Sequence, residues 1–360
     1  MYLNQDLFIY PNEGQWILWD YRNHQQFEID LDTWTRLNSV LTTPASFDPE
    51  SIVDCSLLQS GILSSDPPPR NTWGWDILSK IFHVGTKNIP FETAIVTVED
   101  WAQAYRDHCN EVLSNCAFKS NNKKIAVQQR IELPSPNFSE LNASLKHTLL
   151  NRQTCRVFHN NEVSLQDIST LLFLALGFTT PLRNTSGAAT ICALGERRTS
   201  PSGGGLNASE GYVYAKNIQG VKAGFYYYNP HEHTLDHRGP LSPTALGETL
   251  SGQHFINNLP MGIWLTSRLD KLWWKYEHSR AYRMALIEAG HVSQNVQLIA
   301  TALKLRTWIT GAFDDTAVEN QLNIEHSHEQ PLFFVGIGYG ENSAIPIALE
   351  AATAQREAPK

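Results

Sequence analysis

The chain has no long apolar run. None of its segments approaches the ~18 consecutive apolar residues that a membrane span needs. The opening residues, MYLNQDLFIYPNEGQW, lack a basic segment followed by an apolar one, so no secretory signal is expected. Cysteine is scarce. Cys55, Cys109, Cys116, Cys155 and Cys192 are odd in number, widely scattered and include no CxxC pair, which speaks against a disulfide framework and a structural zinc site. Positive charge is short as well: 28 Lys and Arg stand against 36 Asp and Glu, whereas a nucleic-acid binder needs a basic face. There is no internal repeat and no low-complexity tract. These absences lead to the expectation of a reduced, cytoplasmic protein with no metal, no nucleic-acid partner and no membrane partner.

What is present is the balance of an ordinary globular protein, with 42% hydrophobic and 18% charged residues. A length of 360 residues suggests two unequal domains. Residues 1–66 read as a small winged-helix-like or peptide-recognition-like module. Short strands are expected at 7–10, 16–21 and 27–30, then helices near 32–41 and 48–60. Residues 1–60 hold nine acidic side chains against Arg22 and Arg36, a surface that repels phosphate. The module therefore reads as a scaffold or dimer support, or as a peptide-recognition element, and not as a DNA reader.

Residues 67–138 read as a connecting helical segment and linker. An amphipathic helix is expected at 97–118, on Trp101, Ala104, Tyr105, His108, Val112 and Leu113, and a polar, proline-punctuated run follows at 119–138. Residues 139–345 form the main domain and 346–360 a tail. Helices are expected there at 139–150, 164–176, 244–251 and 283–304. Strands are expected at 211–217, 224–229, 261–267, 306–312 and 331–337.

Five segments hold chemistry-bearing residues, each beside a plainer structural alternative. Arg152, Thr154 and Arg156 place two guanidinium forks and a hydroxyl where they can share one phosphate, or simply form surface ion pairs. In Arg197-Arg-Thr-Ser-Pro-Ser-Gly-Gly-Gly-Leu206, three consecutive glycines allow close backbone approach to a ligand, or just flexibility. In Trp273-Trp-Lys-Tyr276, Lys275 flanked by aromatics is a base if burial lowers its pKa, or a lysine lying over aromatic surface. In the helix from Arg283 to Leu303, the positions Leu286, Ala289, Ser293, Val296, Ala300 and Leu303 predict one buried face. Gly290 there suggests close packing, and His291, Gln294 and Asn295 suggest polar groups that satisfy one another in the core. Last, Gly311 and Phe313 sit between a strand and a helix N-cap, in a turn that could touch a cofactor.

The order of these segments carries more than any one of them. RxTxR, then RxxSPSGGGL with Glu210 and Tyr212 in the next strand, then AGFYYYNPHEHTL, KY…YR…EAGHVSQN and GAFDD, resembles the SagB-type dehydrogenases of the nitroreductase superfamily from about Asn151 to Gly340. The resemblance implies an α+β, FMN-dependent nitroreductase fold beside the small N-terminal domain, and a homodimer with FMN at the subunit interface. It implies that Arg152, Thr154 and Arg156 hold the phosphate and ribityl region. Ser200, Pro201, Ser202, Gly203, Gly204 and Gly205 would lie along the flavin edge. His291, Gln294 and Asn295 would belong to the central helix, and Gly311 and Phe313 to a flavin-side turn. Lys275 and Tyr276 look like the catalytic pair of azoline dehydrogenases, which oxidise thiazolines and oxazolines in ribosomally made peptides. The implied partners are a peptide substrate and a cyclodehydratase. Two departures stand out: Asn207-Ala208 replaces the usual Tyr-Pro, and FFVGIGYGENSA lacks an Arg used on the phosphate by many relatives, leaving Arg152 and Arg156 for that task. Other readings of the same chain are a dehydroamino-acid reductase or desaturase acting on peptides, an NAD(P)H nitro or quinone reductase, and a non-catalytic docking scaffold.

Overall fold

The computed structural model describes residues 1–69, 72–89, 96–115, 129–179, 196–324, 328–346, 348, 349, 351 and 353. Cys116 and Cys192 lie outside them; Cys55, Cys109 and Cys155 are free thiols. The chain divides into two compact units, Met1–Ala104 and Tyr105–Lys360.

In the first unit, β2 (Leu7–Asn12), β3 (Gln15–Asp20) and β4 (Gln25–Ile29), the first two around apolar runs, form an antiparallel meander. Glu13 and Gly14 join the first two strands with φ of 49° and 87°, the left-handed pair that a tight hairpin of this length requires. The short β1 (Tyr2–Leu3) pairs with β5 (Leu63–Ser64). Among the described residues, three α-helices lie wholly within this unit. In α1 (Leu31–Thr42), Asp30 accepts the Thr33 N–H; in α2 (Ile52–Gln59), Ser51 accepts that of Asp54; in α3 (Ile77–Gly85), Asp76 accepts that of Ser79. Each cap satisfies one of the N–H groups a helix start leaves open. Leu18, Ile29, Leu37, Val40, Leu57, Ile62 and Leu63 make the core. The expected small domain of strands followed by helices is what forms.

The division between the units falls inside α4 (Val98–Asn115). The second unit is built on seven strands: β6 (Arg130–Glu132), β7 (Ser209–Ala215), β8 (Gly224–Asn229), β9 (Thr234–Gly239), β10 (Met261–Arg268), β11 (Arg306–Thr310) and β12 (Glu329–Gly338). Their order is β11-β12-β10-β7-β8-β9-β6, and every ladder is antiparallel. Among the described residues, parallel pairing is confined to single bridges, such as Thr154 with Thr307. Residues 130–132, which the sequence reading places in the linker, are thus an edge strand, pinned by Arg130 Nε on Asp236 Oδ1 at 2.8 Å.

Side chains alternate across this sheet. Val213, Ile263 and Val335 point into a core closed by α6 (Leu165–Leu176) and α9 (Ala281–Ala302). Tyr212, Trp264 and Phe334 point into a second core that includes Leu246 of α7 (Leu246–Thr249) and Val318 and Leu322 of α10 (Asp315–Leu322). The helix expected at 139–150 starts later, as α5 (Leu145–Asn151) capped by Ser144, after a single 3-10 turn. The chain leaves β10 directly into α8 (Leu269–Lys275).

Candidate active site

Residues 196–202, 204, 205 and 207 line a cavity of about 550 Å³ that Tyr105 also lines. Local bonds shape this loop. Ser202 Oγ accepts the Asn207 N–H at 2.8 Å. Asn207 Nδ2 donates to the carbonyls of Glu196 (3.0 Å) and Gly205 (3.1 Å). Asn207, the departure from the family's Tyr-Pro, therefore closes the loop. Gly204 has φ of 62°, and a Cβ there would lie 2.6 Å from the Tyr276 hydroxyl and 2.9 Å from Lys275 Nζ. The left-handed conformation favours glycine, and a Cβ would have to push the two side-chain ends away. The glycine loop and the Lys-Tyr pair, separate segments in the sequence, meet at this point.

Lys271 and Lys275 are one helical turn apart on α8, share a face, and are both buried. Lys271 Nζ donates to Glu210 Oε1 at 3.1 Å and to the Asn207 carbonyl at 3.2 Å. Lys275 Nζ donates to the Gly204 carbonyl at 3.3 Å and to the Tyr105 hydroxyl at 3.4 Å. Among the described residues, no carboxylate forms an ion pair with Lys275. Burial pulls the Lys275 ammonium below its ordinary pKa, opposed by the nearby Cys109 thiol. Burial acts on Lys271 in the same direction, but there Glu210 counters it. The Tyr276 phenol is pushed up by burial, then by Tyr105 and Cys109, so it keeps its proton.

The tryptophans are not what buries Lys275. Trp273 is 49% exposed, its ring 5.7 Å from that of His328, and Trp274 packs against the cluster of Leu206, Ala208, Leu272 and Ala285. Successive residues of a helix point about 100° apart, so neighbours in sequence face elsewhere. The rings near Lys275 Nζ are those of Tyr105 (5.2 Å) and Tyr276 (5.9 Å). His108 Nε2 lies 3.1 Å from the Lys275 carbonyl, at the end of α8.

The central helix α9 corrects three expectations. Leu286 is exposed, not buried. Gly290 faces open space within this chain. His291 and Gln294 are exposed, and the buried polar residues of α9 are Glu288, Ser293 and Gln297. Glu288 Oε1 accepts the Ser209 N–H at 2.8 Å, which ties α9 to the start of β7. Gln297 Nε2 reaches Gln294 Oε1 at 3.3 Å, and Arg152 NH1 reaches Gln297 Oε1 at 3.5 Å. Asn295 Nδ2 donates to Thr199 Oγ1 at 3.0 Å. Thus α9 links Arg152, Gln294, Asn295 and the loop that carries Ser200, Pro201, Ser202 and Gly203–Gly205.

The other expected residues go elsewhere. Arg156 donates to the Ala344 carbonyl and lies 6.0 Å from the Phe255 ring. Phe313 packs edge-on against Trp264, in the core of the opposite sheet face, while Gln253 Nε2 donates to the Ala312 carbonyl at 3.2 Å beside Gly311. Thr154 bridges to Thr307. Tyr105, His108, Lys271, Glu288 and Gln297 are site residues the sequence reading does not single out. The i, i+4 lysines of α8 are the one visible signal for any of them.

Comparison with known proteins fits this geometry. The chain is similar to MJ1384 of Methanocaldococcus jannaschii, named a nitroreductase, at 29% identity over 58% of this chain and 96% of that one. It is similar to the trifolitoxin-processing protein TfxB of Rhizobium leguminosarum bv. trifolii at 31% identity over 46% of this chain and 44% of that one. It is similar to the microcin B17-processing protein McbC of Escherichia coli at 28% identity over 38% of this chain and 52% of that one. The matches thus span about half the length of TfxB and of McbC. The signature of the Nitroreductase family matches residues 149–339, more than half of the chain. Antiparallel sheet, central helix, glycine loop and lysine site all lie in or against that segment: the chain belongs to the nitroreductase family.

Proposed function

We propose that this protein oxidises a ribosomally made peptide with FMN as the electron acceptor, converting thiazoline or oxazoline rings to thiazoles or oxazoles. The observation that carries this is Lys275: buried, without a carboxylate ion pair among the described residues, and bonded to the Gly204 carbonyl of the glycine loop near Tyr276. Burial shifts a lysine so placed toward its neutral amine, and a neutral amine is a base. The peptide as substrate is supported by TfxB and McbC, both named for the peptides they process. An azoline ring becomes aromatic by losing one proton and one hydride. Lys275 takes the proton from the carbon beside the ring's carbonyl substituent. Tyr276, held protonated near the same spot, would relay the proton. FMN, when bound, supplies the hydride acceptor at N5.

The donors present fit a phosphorylated, flat cofactor. Arg152 and Arg156 offer guanidinium forks with Thr154 between them, and the exposed side of α9 offers His291 and Gln294. Asn295 and residues 200–205 border the flavin edge in this reading, and Gly311 and Phe313 the far turn. Within one chain these residues fall into two groups, one linked through α9 and one packed on the opposite sheet face. A homodimer would bring the two groups of different copies to one cofactor. A cyclodehydratase, the class of enzyme that forms azolines, would supply the substrate and is the proposed partner. The first unit serves as scaffold or as the peptide-recognition part.

The visible absorption spectrum tests the cofactor. Flavin bands with FMN released on heating are expected, and a protein that stays colourless after incubation with FMN rules the reading out. Lys275→Ala should then retain FMN and lose turnover on an azoline peptide; wild-type rates in that variant would remove Lys275 from the mechanism.

A further inference from the structure

Helix α4 lies outside the family-matched residues 149–339, yet one side of it borders the lysine. Ala104, Tyr105, His108, Cys109 and Val112 are its half-buried positions, spaced as one helical face. Tyr105 places its hydroxyl 3.4 Å from Lys275 Nζ and lines the same cavity as Ser202 and Gly204. The Cys109 thiol sits beside that hydroxyl. The titratable groups around Nζ are therefore Tyr105 and Cys109 from α4 and Tyr276 after α8, with Arg197 of the glycine loop acting on Tyr105.

A neutral amine has two N–H donors and one lone pair. Two acceptors face Lys275 Nζ, the Gly204 carbonyl at 3.3 Å and the Tyr105 oxygen. When both N–H groups are used, the lone pair is the free valence. We propose that Tyr105 is a positioning residue of this site: its oxygen takes one N–H of Lys275, Gly204 takes the other, and the lone pair is left for the substrate proton. A segment ahead of the family domain thus completes the base. The inference rests on the reading of Lys275 as the base.

Tyr105→Phe tests it, because the ring stays and only the oxygen leaves. The readout is the 13Cε resonance of Lys275 in the full-length protein labelled with 13C-lysine, followed across pH and assigned by its loss in Lys275→Met. An oxygen acceptor favours the ammonium more than the amine. The Lys275 midpoint is therefore expected to fall by about one pH unit in Tyr105→Phe. A packing role alone would not move that midpoint. A depressed wild-type midpoint that Tyr105→Phe leaves in place overturns the role of Tyr105 and spares Lys275 as base. A wild-type Lys275 that titrates at the ordinary lysine value of 10.5 overturns both.

Discussion

Lys271 and Lys275 are the same side chain one helical turn apart, set to different tasks by their partners. Lys271 is locked to Glu210, which also accepts from the Tyr227 hydroxyl at 3.0 Å. Glu210→Ala takes the carboxylate away from the buried Lys271 ammonium and from the Tyr227 hydroxyl, and a loss of about 3–5 kcal/mol in urea unfolding is expected. Lys275 has the opposite bookkeeping. Its folded pKa lies below the unfolded value of 10.5, so from the folded value up to 10.5 the unfolded chain binds more protons. Stability rises with pH across that window, and below it the burial is a cost. Lys275→Met should therefore be more stable relative to wild type at neutral pH than at pH near 10.5, as read by Tm against pH; a gap independent of pH would mean the lysine is not depressed. Gly204→Ala places a Cβ in a left-handed position and against Lys275 Nζ. It should cost about 1–2 kcal/mol of backbone strain and displace the amine, lowering turnover while the fold persists by circular dichroism.

At the scale of elements, the β8–β9 hairpin shows how a polar side chain fixes packing. His233 turns with φ of 55°. Its Nδ1 lies 2.9 Å from the Tyr228 hydroxyl, and its Nε2 lies 2.7 Å from Ser169 Oγ of α6 and 3.2 Å from the Pro134 carbonyl. Burial depresses its pKa below the ordinary 6.5. The unfolded chain takes up the proton first as pH falls, so the contribution is full above 6.5 and is lost below it. Wild type should lose stability as the pH falls below about 6.5, and His233→Gln should show a flatter profile there. Equal slopes in the two proteins would take His233 out of the account. The other element of note is α9, whose Glu288 and Gln297 are buried and bonded while Tyr282, Leu286 and Ile287 face outward.

For the whole molecule, that outward stripe matters most. Tyr282, Leu286 and Ile287 are each at least 40% exposed, and Gly290 continues the stripe with open space above it. A second copy seated there would explain why the expected flavin residues fall into two groups within one chain. Sedimentation should find a dimer. Ile287→Lys should shift it to monomer and lower the FMN content together; a monomeric wild type that retains FMN would refute the shared site. No helix among the described residues is long and apolar enough to cross a membrane.

Strand and helix periodicity sufficed for most elements, because β7, β8, β10 and β12 alternate between two buried faces and α6 and α9 carry long apolar stripes. The order of motifs sufficed for the family, since a glycine loop, a Lys-Tyr pair and a central helix keep their sequence order whatever the fold does with them. The meeting of Gly204, Lys275 and Tyr276 and the role of Asn207 needed the tertiary structure, because loop closure is set by through-space hydrogen bonds. So did the source of the burial of Lys275: its ring neighbour Tyr105 is 170 residues away in the chain. Local patterns report which face of an element is buried; what it is buried against is decided only when distant segments pack.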